Sequence, residues 1–236
     1  MKRFFSTIAL GLAALVIIGF SGSNAYADGV VFNGISTIRP DGVGIRTVLS
    51  LQSPGNSSTH TGSVGYNGSG DFMTGDATRG GTNNTVSLLD LGVTQNNTAI
   101  QIGLNINEPN GSPGSDPIVV ESLILRAYDQ SGNVVFEASL VDGPHTLPLQ
   151  GNGQGTADYL FMLDPEAAAR LAALYDPSLR LGLESSMSGV QGGPESFYLA
   201  AGPNAPVPEP ATMVLLGTGL AGLAARMRKR RQASKE

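Results

Sequence analysis

The sequence predicts an all-β fold: an antiparallel two-sheet sandwich or jelly roll with one short packing helix, flanked by an N-terminal signal helix and a C-terminal membrane helix. Three observations carry that expectation. Short apolar stretches in residues 28–201 alternate with period two and are separated by turns rich in Gly, Asn and Ser. A single segment in that region has helical capping chemistry. At each end of the chain an uncharged apolar run stands beside basic residues.

The clearest alternation is Ile100, Ile102, Leu104 and Ile106, with Gln101, Gly103, Asn105 and Asn107 between them. Successive strand side chains point to opposite faces, so this is a half-buried strand. Leu179, Leu181 and Leu183 repeat the pattern. Ile118 to Tyr128 and Val134 to Val141 form a predicted hairpin around Asp129-Gln130-Ser131-Gly132-Asn133, where Gly132 supplies a positive φ. Further strands are expected over 30–39, 43–51, 85–91, 159–163 and 197–200. Asp164 is placed as an N-cap, Pro165 as the first helical residue and Glu166 at the positive end of the helix dipole. Ala167 to Tyr175 continues that helix, with Leu171, Leu174 and Tyr175 as its apolar stripe, until Asp176-Pro177 stops it. Residues 53–84 contain few apolar side chains and are expected to form a long polar loop.

The two ends have a different character. Lys2 and Arg3 precede a thirteen-residue apolar core, Ile8 to Phe20, and Ala25-Tyr26-Ala27 supplies the small residues that signal peptidase accepts. Residues 1–27 are therefore a predicted signal peptide, cleaved after Ala27. The chain has no cysteine, which rules out a lipoprotein, disulfides and thiolate metal sites. At the other end, Pro203, Pro206 and Pro208 make residues 202–208 a proline-rich linker. Ala211 to Ala225 follows without a charge, about 22 Å as a helix, which is short for a hydrocarbon core of about 30 Å. The basic cluster Arg226, Arg228, Lys229, Arg230 and Arg231 then keeps the C-terminus cytoplasmic by the positive-inside rule.

Pro208-Glu209-Pro210, the apolar stretch and the basic cluster, in that order over residues 207–231, resemble a PEP-CTERM sorting signal. The resemblance implies a bacterial protein held transiently in the inner membrane and processed by an exosortase near Pro208-Glu209-Pro210. It would then be delivered to the cell surface or extracellular matrix. Signal peptidase and exosortase are the implied partners, the membrane being engaged through the tail before processing. This signal is shared by proteins with unrelated central domains, so it speaks to route and not to activity.

Setting both ends aside changes the charge. Residues 28–205 carry 17 acidic side chains against 6 arginines and no lysine, a net charge of −11 where the whole chain has −5. Nucleic acid is thereby excluded as a partner, since phosphate binding requires a basic face. Solvation within a hydrated polysaccharide matrix remains compatible.

Catalytic patterns are sparse. His60 and His145 are the only histidines, neither has a second histidine at metal-ligand spacing, and both are expected in surface loops. There is no Gly-x-Ser-x-Gly elbow. Gly217-Thr218-Gly219-Leu220-Ala221-Gly222 matches a dinucleotide fingerprint but lacks a βαβ unit, so small residues in a membrane helix explain it better. No cofactor is expected, with calcium the one exception: Asp71, Asp76 and Asp90, or Asp116 with Asp129, are hard oxygen donors, although EF-hand spacing is absent. Three readings follow. A non-enzymatic structural or interaction protein leads, ahead of a carbohydrate-binding module using Tyr66, Tyr128 and Tyr198 in the absence of tryptophan, and ahead of a secreted hydrolase.

Overall fold

The computed structural model describes residues 29–36, 44–55, 57–78, 81–107, 117–149, 159–190 and 193–203. In chain order these residues hold β1 (Val30–Ile35), β2 (Ile45–Leu51), β3 (Thr59–Tyr66), β4 (Asp71–Gly75), β5 (Val86–Ser87) and β6 (Ile100–Asn105). There follow β7 (Ile118–Tyr128), β8 (Val134–Ser139), β9 (His145–Leu147), β10 (Tyr159–Leu163), α1 (Pro165–Ala173), β11 (Arg180–Ser188) and β12 (Glu195–Ala201). The strands form two antiparallel sheets. The first runs β1-β10-β6-β12-β2 and the second β4-β3-β11-β7-β8, with β5 beside β11 and β9 beside β7. The predicted signal helix of residues 1–27 and the predicted membrane helix of the tail lie outside the described residues. Among the described residues no helix is long and apolar enough to cross a membrane.

The two sheets share one core, as a sandwich requires. The first sheet contributes Leu49 and Leu51, Ile100, Ile102 and Leu104, Phe161, and Phe197, and the second Val64, Leu123, Leu125, Leu181 and Leu183. Each of these is at most 1 % exposed, and full burial of such a side chain is worth about 1.5–3 kcal/mol. The long strands β7 and β11 organise the second sheet. β11 pairs along its whole length with β7, which leaves its other side to β3 from Leu183 to Ser188 and to β5 at Arg180 and Leu181. A bulge places Ser186 opposite Ser122 and Met187 opposite Val120, leaving Glu121 out of the ladder. The inward positions of β7 therefore change phase, from Ile118 and Val120 to Leu123, Leu125 and Ala127.

The β7–β8 hairpin closes as the turn chemistry predicts. Gly132 has φ 84°, and the Asp129 carboxylate accepts from the backbone of Ser131 and Asn133 and from Asn133 Nδ2 at 2.8–2.9 Å. Those bonds, the Asn133 side chain foremost, hold the Asp129 carboxyl below its ordinary pKa. From the middle of β7, Arg126 donates across one ladder to Glu137 of β8 at 2.7 Å and across the other to Glu184 of β11 at 2.6 Å. Burial alone would lower the Arg126 pKa, and these two carboxylates more than offset it.

Residues 53–84 are not a long loop. They contain β3, β4 and a 3₁₀ turn at Asp76–Thr78. The inward face of β3 is His60, Gly62 and Val64, and its outward face carries hydroxyls that bond across the ladder. Thr61 pairs with Ser186 at 2.9 Å and Ser63 with Thr74 at 2.7 Å. Such cross-strand pairs stabilise a sheet without apolar side chains, so composition alone disguises the strand.

Helix α1 caps one end of the sandwich with the predicted N-terminus. Asp164 accepts from the backbone N–H of Glu166 and Ala167 at 3.0 and 2.8 Å. Arg170 lies 4.9 Å over the Phe136 ring and donates to the Glu137 carbonyl, tying the helix to β8. The predicted stripe is only partly correct. Leu171 is fully buried, but the helix ends at Ala173, and Leu174, the C-cap, stands 45 % exposed.

Candidate functional site

Both ends of the described domain are fastened close to the predicted processing points. Gly29 donates to Asp164 Oδ2 at 2.8 Å, and its carbonyl accepts from the Asp164 N–H at 3.0 Å. A Cβ on residue 29 would sit 2.3 Å from the Ser139 carbonyl oxygen, so the close approach needs glycine. Fastening therefore begins two residues after Ala27, at the start of the predicted mature chain. At the other end, Gly202 donates to the Ala99 carbonyl at 2.7 Å and accepts from Asn97 Nδ2 at 3.0 Å. Pro208 is six residues further on, at most about 20 Å of extended chain. The predicted signal-cleavage residues Ala25 and Ala27, the motif Pro208-Glu209-Pro210 and the cluster Arg226, Arg228, Lys229, Arg230 and Arg231 lie outside the described residues.

The histidines are not in surface loops. His60 lies in β3 and is fully buried, its Nδ1 meeting Oε2 of Glu195, which is equally buried at the start of β12. Because β3 and β12 belong to opposite sheets, the pair crosses the sandwich. The contact of imidazole Nδ1 with a carboxylate is the one a Ser-His-Asp or Ser-His-Glu site uses to orient its base. In such a site Nε2 faces the nucleophile, but here Nε2 has no hydrogen-bond partner among the described residues and no path to solvent. His145, in β9, is half-buried. Its Nε2 is 3.0 Å from Asp142, and its ring stacks on Phe32 at 4.6 Å between centroids. Asp142 also accepts from the Phe32 N–H at 3.1 Å, so this second pair pins the edge strand β1.

The proposed calcium donors are taken up by the chain itself. Asp71 accepts from the N–H and hydroxyl of Thr85 and lies 3.6 Å from Arg180. Asp76 accepts from the Thr61 N–H at 2.7 Å, Asp90 from the Ser87 hydroxyl at 2.6 Å, and Asp129 closes its turn. Asp116 lies outside the described residues, among which no three acidic or histidine side chains gather around a common point. Two of the three tyrosines are buried and the third has an arginine over its ring. Tyr128 and Tyr198 are 5 % and 8 % exposed, and Arg180 covers Tyr66 at 5.1 Å from its centroid.

What sequence reasoning missed is a recess of about 380 Å³ beside β2, lined by Arg46, Thr47, Thr82, Asn84, Thr85, Val86 and Asp90 together with Ile45. The 81–86 segment forms one wall because it bridges the two sheets. Asn83 Oδ1 accepts from the Ser50 N–H at 2.5 Å, Asn84 N–H donates to Val48 at 3.2 Å, and Val86 pairs with Leu181 in β11.

No curated protein and no solved structure matches the chain. A family model does: the PEP-CTERM protein-sorting motif matches residues 206–230, one residue earlier at each end than the boundaries read from the sequence. The match takes in Pro208-Glu209-Pro210, the apolar stretch and the cluster as far as Arg230, with Arg231 just beyond it. The motif marks a chain for export and exosortase sorting to the cell surface or extracellular space, with transient membrane anchoring. Downstream of the two-sheet β-sandwich, whose last strand ends at Ala201, this chain therefore carries a C-terminal segment that matches the PEP-CTERM protein-sorting motif.

Proposed function

We propose that this chain is a non-enzymatic structural or interaction protein of the cell surface or extracellular matrix, in which the β domain is the cargo and residues 206–230 are its address. The observation that carries the reading is the complete signal at 206–230 attached to a domain fastened at Gly29 and Gly202. Signal peptidase acts after Ala27 and exosortase near Pro208-Glu209-Pro210, leaving the acidic, lysine-free domain outside the cell. An extracellular polysaccharide is the partner class suited to that location. The hydrolase reading loses support from the burial of His60 and Glu195, since a substrate cannot reach either group without parting the sheets.

The test compares the location of the full chain with that of a chain lacking residues 206–236, using protease accessibility on intact cells and on the released matrix. The full chain is expected at the surface or in the matrix, and the shortened chain in the periplasm. Equal distribution of the two would contradict the proposal. So would turnover of glycans, esters or peptides by the purified protein in a broad screen.

A further inference from the structure

We propose that the recess beside β2 is a binding site for an acidic sugar, a uronate unit of a glycan, with Arg46 taking its carboxylate. The assignment deepens the reading of the domain as an extracellular interaction module and rests on it.

The first argument is the state of Arg46. Among the described arginines, Arg126 is held between Glu137 and Glu184, Arg180 is bonded to Thr85 beside Asp71, and Arg170 is bonded to the Glu137 carbonyl over Phe136. Arg46 is exposed and donates to the neighbouring Ile45 carbonyl at 3.0 Å, with no carboxylate beside it among the described residues. In a region of net charge −11, an arginine with no carboxylate within ion-pair distance among the described residues is a cation left for a ligand. Its planar fork matches a carboxylate with two parallel hydrogen bonds.

The second argument is the rest of the lining. Thr47, Thr82 and Asn84 offer hydroxyl and amide groups that both donate and accept, and Asp90 offers a carboxylate that only accepts. That set complements a ligand with several hydroxyls and one negative charge. Asp90 repels a phosphate dianion while accepting from sugar hydroxyls, so the combination selects a uronate over a phosphate ester. The volume of about 380 Å³ lies in the range of small-molecule sites and suits one or two sugar rings. With no aromatic ring in the lining, recognition is polar and its affinity is in the millimolar range, on the order of −4 kcal/mol.

The test titrates the full chain in detergent with trigalacturonate, with the neutral trisaccharide of galactose and with acetate, reading chemical-shift changes. Trigalacturonate is expected to saturate, and Arg46→Gln to weaken it at least tenfold while leaving the thermal midpoint unchanged, since Arg46 makes no buried contact. Asp90→Asn should weaken trigalacturonate and narrow its preference over acetate. No saturable trigalacturonate binding, equal binding by Arg46→Gln, or acetate binding as tight as trigalacturonate would each overturn the assignment. A chain that reaches the surface yet ignores uronates contradicts this site alone. A chain that never reaches the surface contradicts the sorting reading instead.

Discussion

Between Gly29 and Gly202, a residue's importance is set by what surrounds it; over residues 206–230, it is set by order along the chain. His60 shows the first rule, because its partner Glu195 is brought to it by the meeting of two sheets. Pro208-Glu209-Pro210 shows the second, because the motif, the apolar stretch and the basic cluster form a signal whatever domain precedes them. Destabilising the domain is therefore expected to leave the address intact, and erasing the address to leave the fold intact.

That contrast breaks first at the tail. Replacing Pro208, Glu209 and Pro210 with alanine is expected to abolish release of the processed protein while the thermal midpoint of the β domain stays unchanged. A shifted midpoint in the purified variant would mean that the tail is part of the fold. The next largest effect belongs to the buried pair. Substituting either member alone, His60→Ala or Glu195→Ala, removes the partner of a fully buried polar group and should cost about 3–5 kcal/mol in urea unfolding. Replacing both with leucine should cost less than either single change, since neither member is then left facing an apolar replacement of the other. A double variant as unstable as the singles would show that the pair's shape, and not its polarity, matters.

Asp164 comes third. It is 3 % exposed and accepts three backbone N–H bonds, from Gly29, Glu166 and Ala167, so Asp164→Ala should cost about 1–3 kcal/mol. Amide exchange should rise at Gly29 and the first turn of α1 together, and exchange rising at only one of them would separate the two roles. His145 comes last. Its pair with Asp142 is partly open to solvent, so His145→Ala should cost about 0.5–1 kcal/mol, chiefly lost stacking on Phe32. A cost equal to that of His60→Ala would overturn the distinction by burial. In none of these domain variants should the fraction processed among folded molecules change.

The parts of the fold legible in the sequence were those written in local pattern. The strand at Ile100, Ile102 and Leu104, the turn at Asp129 to Asn133 and the cap at Asp164 each depend on a few adjacent residues, and each holds in the structure, although the strand is central and its intervening Gly103 and Asn105 are buried where half-burial was expected. The misses depend on distant partners. β3 is a strand because Thr61 and Ser63 meet hydroxyls on β11 and β4, which no window around residue 60 contains. His60 becomes a core residue because Glu195 lies opposite it, 135 positions along the chain. The recess was invisible for the same reason: Arg46, Asn84 and Asp90 line it together only because the chain folds. The sorting signal was legible throughout because it is a linear pattern, with the motif, apolar stretch and basic cluster in order.

The most direct test of the address-and-cargo account is the intact mass of the protein recovered outside the cell. The account predicts a product that begins at Asp28, next to the anchored Gly29, and ends near Pro208-Glu209-Pro210. A secreted species that still carries Arg226 to Arg231 would contradict it.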